Sequence, residues 1–140
     1  MEEKSCGTIP YTRKDGKLRY LLILGRQYGI YGFPKGHMEN GETEEETALR
    51  ETWEETSLRP EIKKGFRKQV QYTLRKGKNK TVVYFIADFG EQMPRKNGDF
   101  EDFDYCIFTF EQAYAVLGEN IREILKEADA YIRENLIGGD

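Results

Sequence analysis

The chain has 140 residues, 38% of them hydrophobic and 34% charged, with a formal net charge of -3. That is the length of one domain with a respectable core, and the balance excludes both a disordered chain and a general electrostatic grip on nucleic acid. Met1 to Lys4 opens with charge and no apolar run approaches the ~18 residues of a membrane span, so the expected setting is cytoplasmic, without a membrane partner.

Cys6 to Thr12 and Leu18 to Leu24 are expected as two strands joined by the turn Lys14-Asp15-Gly16-Lys17. The second, LRYLLIL, is a solid apolar run of the kind a sheet buries. Gly32 and Phe33 lead into a loop over Pro34 to Gly41, and the acidic stretch beyond it predicts a helix from about Glu44. There Thr43 is an N-cap, Glu46 completes a capping box, and Glu44 and Glu45 put the favoured sign in the first turn. Phe66 to Leu74 and Thr81 to Phe89 predict a hairpin across the basic turn Arg75-Lys76-Gly77-Lys78-Asn79-Lys80, and Tyr105 to Phe110 a further short strand. Glu111 to Leu117 predicts one helix, and Ile121, Ile124, Leu125, Ala128, Tyr131, Ile132 and Leu136 recur at helical spacing as a second. The pattern predicts an α/β fold with a mixed sheet between helices. Cys6 and Cys106 lie in apolar strands without metal-ligand spacing and are expected as buried free thiols.

The chemistry is concentrated in Gly36 to Leu58, GHMENGETEEETALRETWEETSL, which places Gly36, Glu42, Arg50, Glu51, Glu54 and Glu55 at the spacing G, five residues, E, seven residues, R-E-x-x-E-E. At about 100° per residue Glu51, Glu54 and Glu55 share one arc of the helix, roughly 100° wide, with Leu49, Thr52, Trp53 and Thr56 on the opposite, core-facing side. Glu51 and Glu55 repel at i and i+4, so the cluster destabilises the helix unless something positive arrives. A hard divalent cation answers that need: Mg²⁺ takes oxygen ligands and is completed by substrate phosphates, which points to a phosphate ester or anhydride as the bond cut. A solvated acidic helix is the common explanation for a Glu-rich stretch. Yet with background frequencies of about 5–7% per position, a chance match of this pattern is on the order of one in 10⁷. Before the helix, Pro34 fixes φ and Gly36 lets a backbone carbonyl approach a metal. Lys35 stands close enough to counter phosphate charge, and His37, the only histidine, is a candidate donor to a phosphate oxygen.

The run resembles the Nudix box, the signature of hydrolases that cleave nucleoside diphosphates linked to another moiety. It departs at Thr52, where the family usually has an aliphatic residue, and at Ser57, where a glycine normally ends the helix. Three segments together, CGTIPYTRKDGKLRYLLIL, FPKGHMENGETEEETALRETWEET and GFRKQVQYTLRKGKNKTVVYF, are similar to the asymmetrical diadenosine tetraphosphate hydrolases within that family, over roughly residues 5 to 110. The resemblance implies a Nudix α/β/α sandwich over residues 1–140 and Mg²⁺ as cofactor, with Mn²⁺ able to substitute. The implied reaction is hydrolysis of diadenosine tetraphosphate, a small nucleotide substrate, to ATP and AMP. It also implies a metal site of Gly36, Glu51, Glu54, Glu55 and Glu101. Glu54 is a ligand or the base, and Arg50 and Glu42 hold the loop to the helix. Tyr72 and Tyr84 are carried over as tyrosines near the adenine and Lys80 as a phosphate-contacting lysine.

Other substrates compete: a nucleoside triphosphate, a diphosphoinositol polyphosphate, or an RNA 5′ end. Inositol polyphosphates call for more clustered cations than Lys35, Lys78 and Lys80. A non-catalytic nucleotide-sensing module usually lacks box carboxylates, and this chain retains them.

Overall fold

Asp15 and Gly16 both take positive φ, 53° and 76°, the two left-handed positions of a tight hairpin turn, and they pair Lys14 with Lys17. Strand β1 (Glu2–Lys14) turns there into β2 (Lys17–Gly25), followed by β3 (Ile30–Gly32), β4 (Lys35–His37), α1 (Glu44–Thr56), β5 (Glu61–Thr73), β6 (Asn79–Asp88), β7 (Phe103–Phe108), α2 (Phe110–Val116) and α3 (Glu119–Asn135). The computed structural model describes residues 2–73, 77–96 and 103–137. Its strands form one mixed seven-stranded sheet in the order β3-β2-β1-β6-β5, with β4 added to β1 and β7 to β2. β1 runs parallel to β6 and antiparallel to its other partners.

Alternation along β1 sorts the two faces. Ile9 and Tyr11 point into the large core with Tyr20, Leu22, Tyr84 and Ile86, closed by Leu125, Ala128 and Ile132 of α3. Cys6 points the other way, toward Ala48 of α1. The sheet therefore lies between α1 on one side and α2 and α3 on the other, the sandwich the sequence predicts. Among the described residues no helix is long and apolar enough to cross a membrane.

Besides β5 beginning at Glu61 rather than Phe66 and β7 spanning Phe103–Phe108, with Phe110 passing into α2, three features differ from expectation. The first is α1, which does not bury Leu49 and Trp53: they are 36% and 39% exposed, while Thr47, Ala48, Thr52, Glu55 and Thr56 face the sheet. The reason is the surface beneath. Thr52 donates to the Ala48 carbonyl, so the 2.7 Å contact between the Thr8 and Thr52 hydroxyls has Thr8 as donor. A face of small side chains lets the helix sit close, and a buried hydroxyl pair replaces the aliphatic contact. The second is β4, which occupies the expected loop; its three residues are too few to show a period, and its partners Ser5, Cys6 and Gly7 are far away in sequence. β3 escaped notice for the same reason. The third is Cys106, which is half-buried rather than buried, though both thiols are free. Ser57 does close α1 at φ 62°, with its N–H donating to the Trp53 carbonyl at 2.8 Å, a left-handed cap that costs a non-glycine residue about 1 kcal/mol.

Candidate active site

The helix start forms as its sequence dictates: Glu46 N–H donates to the Thr43 hydroxyl at 3.1 Å, and Thr43 N–H donates to the Glu46 carboxylate at 2.8 Å. Two turns later Arg50 ties the box together. Its Nε donates to Glu42 at 2.7 Å, Nη1 donates to Glu51 at 2.8 Å and Glu54 at 3.0 Å, and Nη2 donates to the His37 carbonyl at 2.9 Å. One planar guanidinium thus joins the loop before the helix, the end of β4 and two carboxylates. Arg50 does pair with Glu42, the partner the spacing predicts. His37 contributes its backbone carbonyl, and its side chain is exposed.

Behind Arg50 the packing tightens. A Cβ on Gly36 would overlap the carboxylate of Glu51, so only glycine allows the β4 backbone to lie against that side chain. Gly7 plays the matching part in β1, where a Cβ would overlap the Pro34 carbonyl and Lys35. Glu55 is 9% exposed. Burial, then the hydrogen bond and negative charge of Glu51, push its carboxyl far above the ordinary carboxylate range, while the Lys35 backbone N–H donates to it. Tyr105 holds the same residue from outside, its hydroxyl donating to the Glu55 carbonyl at 2.6 Å.

The expected arc of three carboxylates is only partly assembled. Among the described residues no three His, Cys, Asp or Glu side chains converge as a ready-made cation cage, because Arg50 draws Glu54 and one oxygen of Glu51 toward itself. Glu101 lies outside the described residues. The donor set nevertheless suits a hard cation. The half-buried Glu51 carboxylate and the buried Glu55 carboxyl are neighbours close enough for one to raise the pKa of the other, two oxygen-bearing groups of the kind a hard cation takes, and the Gly36 backbone lies against Glu51.

On the other face of the sheet a cleft of about 350 Å³ opens beside Glu55, with Lys35, Tyr31, Tyr72, Tyr84 and Ile121 in its walls. Register explains this. Lys35 and Tyr84 both pair with Gly7, which has no side chain to stand between them, and Lys80 pairs with Tyr72 on the neighbouring ladder. Burial, then the nearby positive charge of Lys80, hold the Lys35 ammonium below its usual value. Tyr72 is half-buried and lends part of its ring to the cleft. Tyr84 is 1% exposed and packs edge-on to Phe33 at 6.2 Å, so it forms the floor rather than an open stacking face. Tyr31 and Ile121 are lining residues that sequence reasoning missed. Tyr31 follows no period in so short a strand, and Ile121 reads simply as part of a helix stripe.

Two carboxylates set the acid limit. The Arg50 guanidinium holds Glu42 at about 2, and that of Arg67, with the Lys4 ammonium, holds Glu44 at about 2, against an ordinary 4.5. The folded values are depressed, so their stabilisation is complete above pH 4.5 and is lost as pH falls toward 2. Glu55 is protonated throughout that window and does not mask the effect. Melting temperatures followed by circular dichroism are expected to fall steadily below pH 4.5 in the wild type, and to change less in Glu44→Gln.

A model of the NUDIX domain matches residues 3–128. The rat protein named Bis(5'-nucleosyl)-tetraphosphatase [asymmetrical] is 39% identical over 98 residues, 63% of this chain and 66% of that one. The Caenorhabditis elegans protein of the same name is 36% identical over 92 residues, 62% and 65% of the two chains. The matched stretch thus spans just under two thirds of those relatives. A solved binary complex of a C. elegans Ap4A hydrolase superposes with a TM-score of 0.84 at 26% identity, covering 94% of this chain and 98% of that one. With the box on its helix, the sandwich around it and a family match from residue 3 to residue 128, the chain belongs to the NUDIX domain family.

Proposed function

We propose that the protein is a magnesium-dependent hydrolase that converts diadenosine tetraphosphate to ATP and AMP. The observation that carries this reading is the meeting of the Glu51–Glu55 carboxyl pair with a cleft that holds both a lysine and tyrosines. The names of the relatives at 39% and 36% identity support it.

Each residue has a task the geometry fits. Tyr72 offers a ring edge and face against which a purine stacks, a contact of about 1–3 kcal/mol. Lys35 and Lys80 counter the charge of the phosphate chain beside it. Glu51, Glu55 and the Gly36 carbonyl would hold the cation, with Glu101 as a further proposed ligand. Magnesium, when bound, polarises a phosphoryl oxygen and lowers the pKa of its water. Glu54 is 29% exposed while Glu51 is 17% exposed, so Glu54 is the carboxylate that water reaches, and we assign it the proton from the attacking water. Arg50 and Glu42 keep that carboxylate aimed.

Incubation with diadenosine tetraphosphate and Mg²⁺, with products separated by anion exchange, tests the reading. ATP and AMP in equal amounts are expected. Two ADP, or no cleavage beside rapid turnover of a mononucleotide, overturns it.

A further inference from the structure

The function above uses one cleft, beside Glu55, and a second hollow adjoins Arg50. The second, about 380 Å³, lies on the outer face of α1, where Leu49, Trp53, Arg59 and Pro60 form its walls. Arg50 is the fifth wall, the same side chain that bonds Glu51 and Glu54. One guanidinium therefore borders both the carboxylate cluster and a partly apolar hollow. Both hollows lie within the usual size range of small-ligand sites, and they are of like size.

We infer that this second hollow is a nucleoside subsite, which takes the distal nucleoside of a dinucleoside polyphosphate while the first nucleoside occupies the Tyr72 cleft. The inference rests on the function proposed above and goes beyond it, by assigning the far end of the substrate. Three observations carry it. The Trp53 ring is 39% exposed beside an exposed Leu49, on a helix whose other face is fully engaged with the sheet. The Arg59 guanidinium lies 5.3 Å from the centre of that ring, so the aromatic surface already holds a flat, delocalised cation of the kind a purine replaces. Among the described residues the hollow's walls hold the Arg59 guanidinium and no acidic side chain, Arg50 being engaged by Glu42, Glu51 and Glu54, which suits a ligand that arrives on a phosphate chain. A purine on Trp53 takes over the cover that Arg59 provides and leaves that guanidinium for a phosphate. A polyphosphate with one nucleoside fills one hollow, and a dinucleoside compound fills both.

Trp53 is the only tryptophan in the chain, so it reports on its own subsite. Its fluorescence is titrated with a methylene-bridged, non-hydrolysable diadenosine tetraphosphate and, separately, with adenosine 5′-tetraphosphate, both with Mg²⁺. Quenching by the dinucleoside analogue, and much less at saturating adenosine tetraphosphate, is expected. In kinetics, Trp53→Ala is expected to raise KM for diadenosine tetraphosphate about tenfold relative to KM for adenosine tetraphosphate, with Trp53→Tyr restoring most of the difference. Equal quenching by the two ligands, no quenching by either, or an unchanged KM ratio in a folded Trp53→Ala enzyme overturns the subsite. Absence of turnover by the wild type sinks the function reading instead, and the fluorescence titration still reads the subsite without turnover.

Discussion

Replacing Glu55 with Gln is expected to lower turnover of diadenosine tetraphosphate by about 10³-fold or more, while thermal stability in chelator stays at or above that of the wild type. The two halves have one cause. Without a cation, burial and the neighbouring negative charge of Glu51 hold the Glu55 carboxyl well above the ordinary carboxylate range, so the charged form is the costly one there. An amide at that position is of the same shape and carries no charge, so the fold is expected to lose nothing. The substituted side chain has, however, lost an anionic oxygen, and a site for a hard cation depends on such charge. Steady-state rates and melting curves on one preparation check both halves. A near wild-type rate removes Glu55 from the metal site, and a large fall in melting temperature shows that it serves the fold.

Gly36→Ala is the second large effect, and its cause is steric. The added methyl occupies the space of the Glu51 carboxylate, and either that side chain or β4 moves. A displacement of about 1 Å at a reacting centre costs about 10²-fold in rate, so a loss of that order in kcat is expected. The fold bears the change better than the chemistry does, because β4 is an edge addition of three residues. Expected melting temperatures therefore shift by only a few degrees. An activity close to wild type indicates that Glu51 relaxes without consequence and lies outside the metal site.

Much of this was legible in the sequence for local reasons. The Thr43 and Glu46 pair marks the start of α1, Asp15-Gly16 marks its hairpin turn, and the stripe from Ile121 to Leu136 marks α3; each signal is complete within a few turns of chain. The spacing of the box likewise fixes which carboxylates share a helix. What a wheel diagram did not show is where the sheet touches that helix. Trp53 and Leu49 look like core by hydrophobicity, yet the sheet offers the Thr8 hydroxyl to a threonine and alanine face, and Glu55 turns inward with it. Tyr105 was equally invisible as a site residue. Its hydroxyl reaches the Glu55 carbonyl across 50 positions of sequence, and no local pattern announces such a contact. Arg50 shows the mixture: its pairing with Glu42 follows from the spacing, but its simultaneous hold on the His37 carbonyl depends on β4.

The decisive observation is the position of a divalent ion in crystals soaked with Mn²⁺ and the non-hydrolysable dinucleoside analogue, read from the anomalous signal of manganese. A peak bounded by the Glu51 and Glu55 carboxylates and the Gly36 carbonyl is predicted, next to the phosphate chain. A well-ordered analogue with no manganese at those oxygens, or with the ion held elsewhere on the protein, contradicts it.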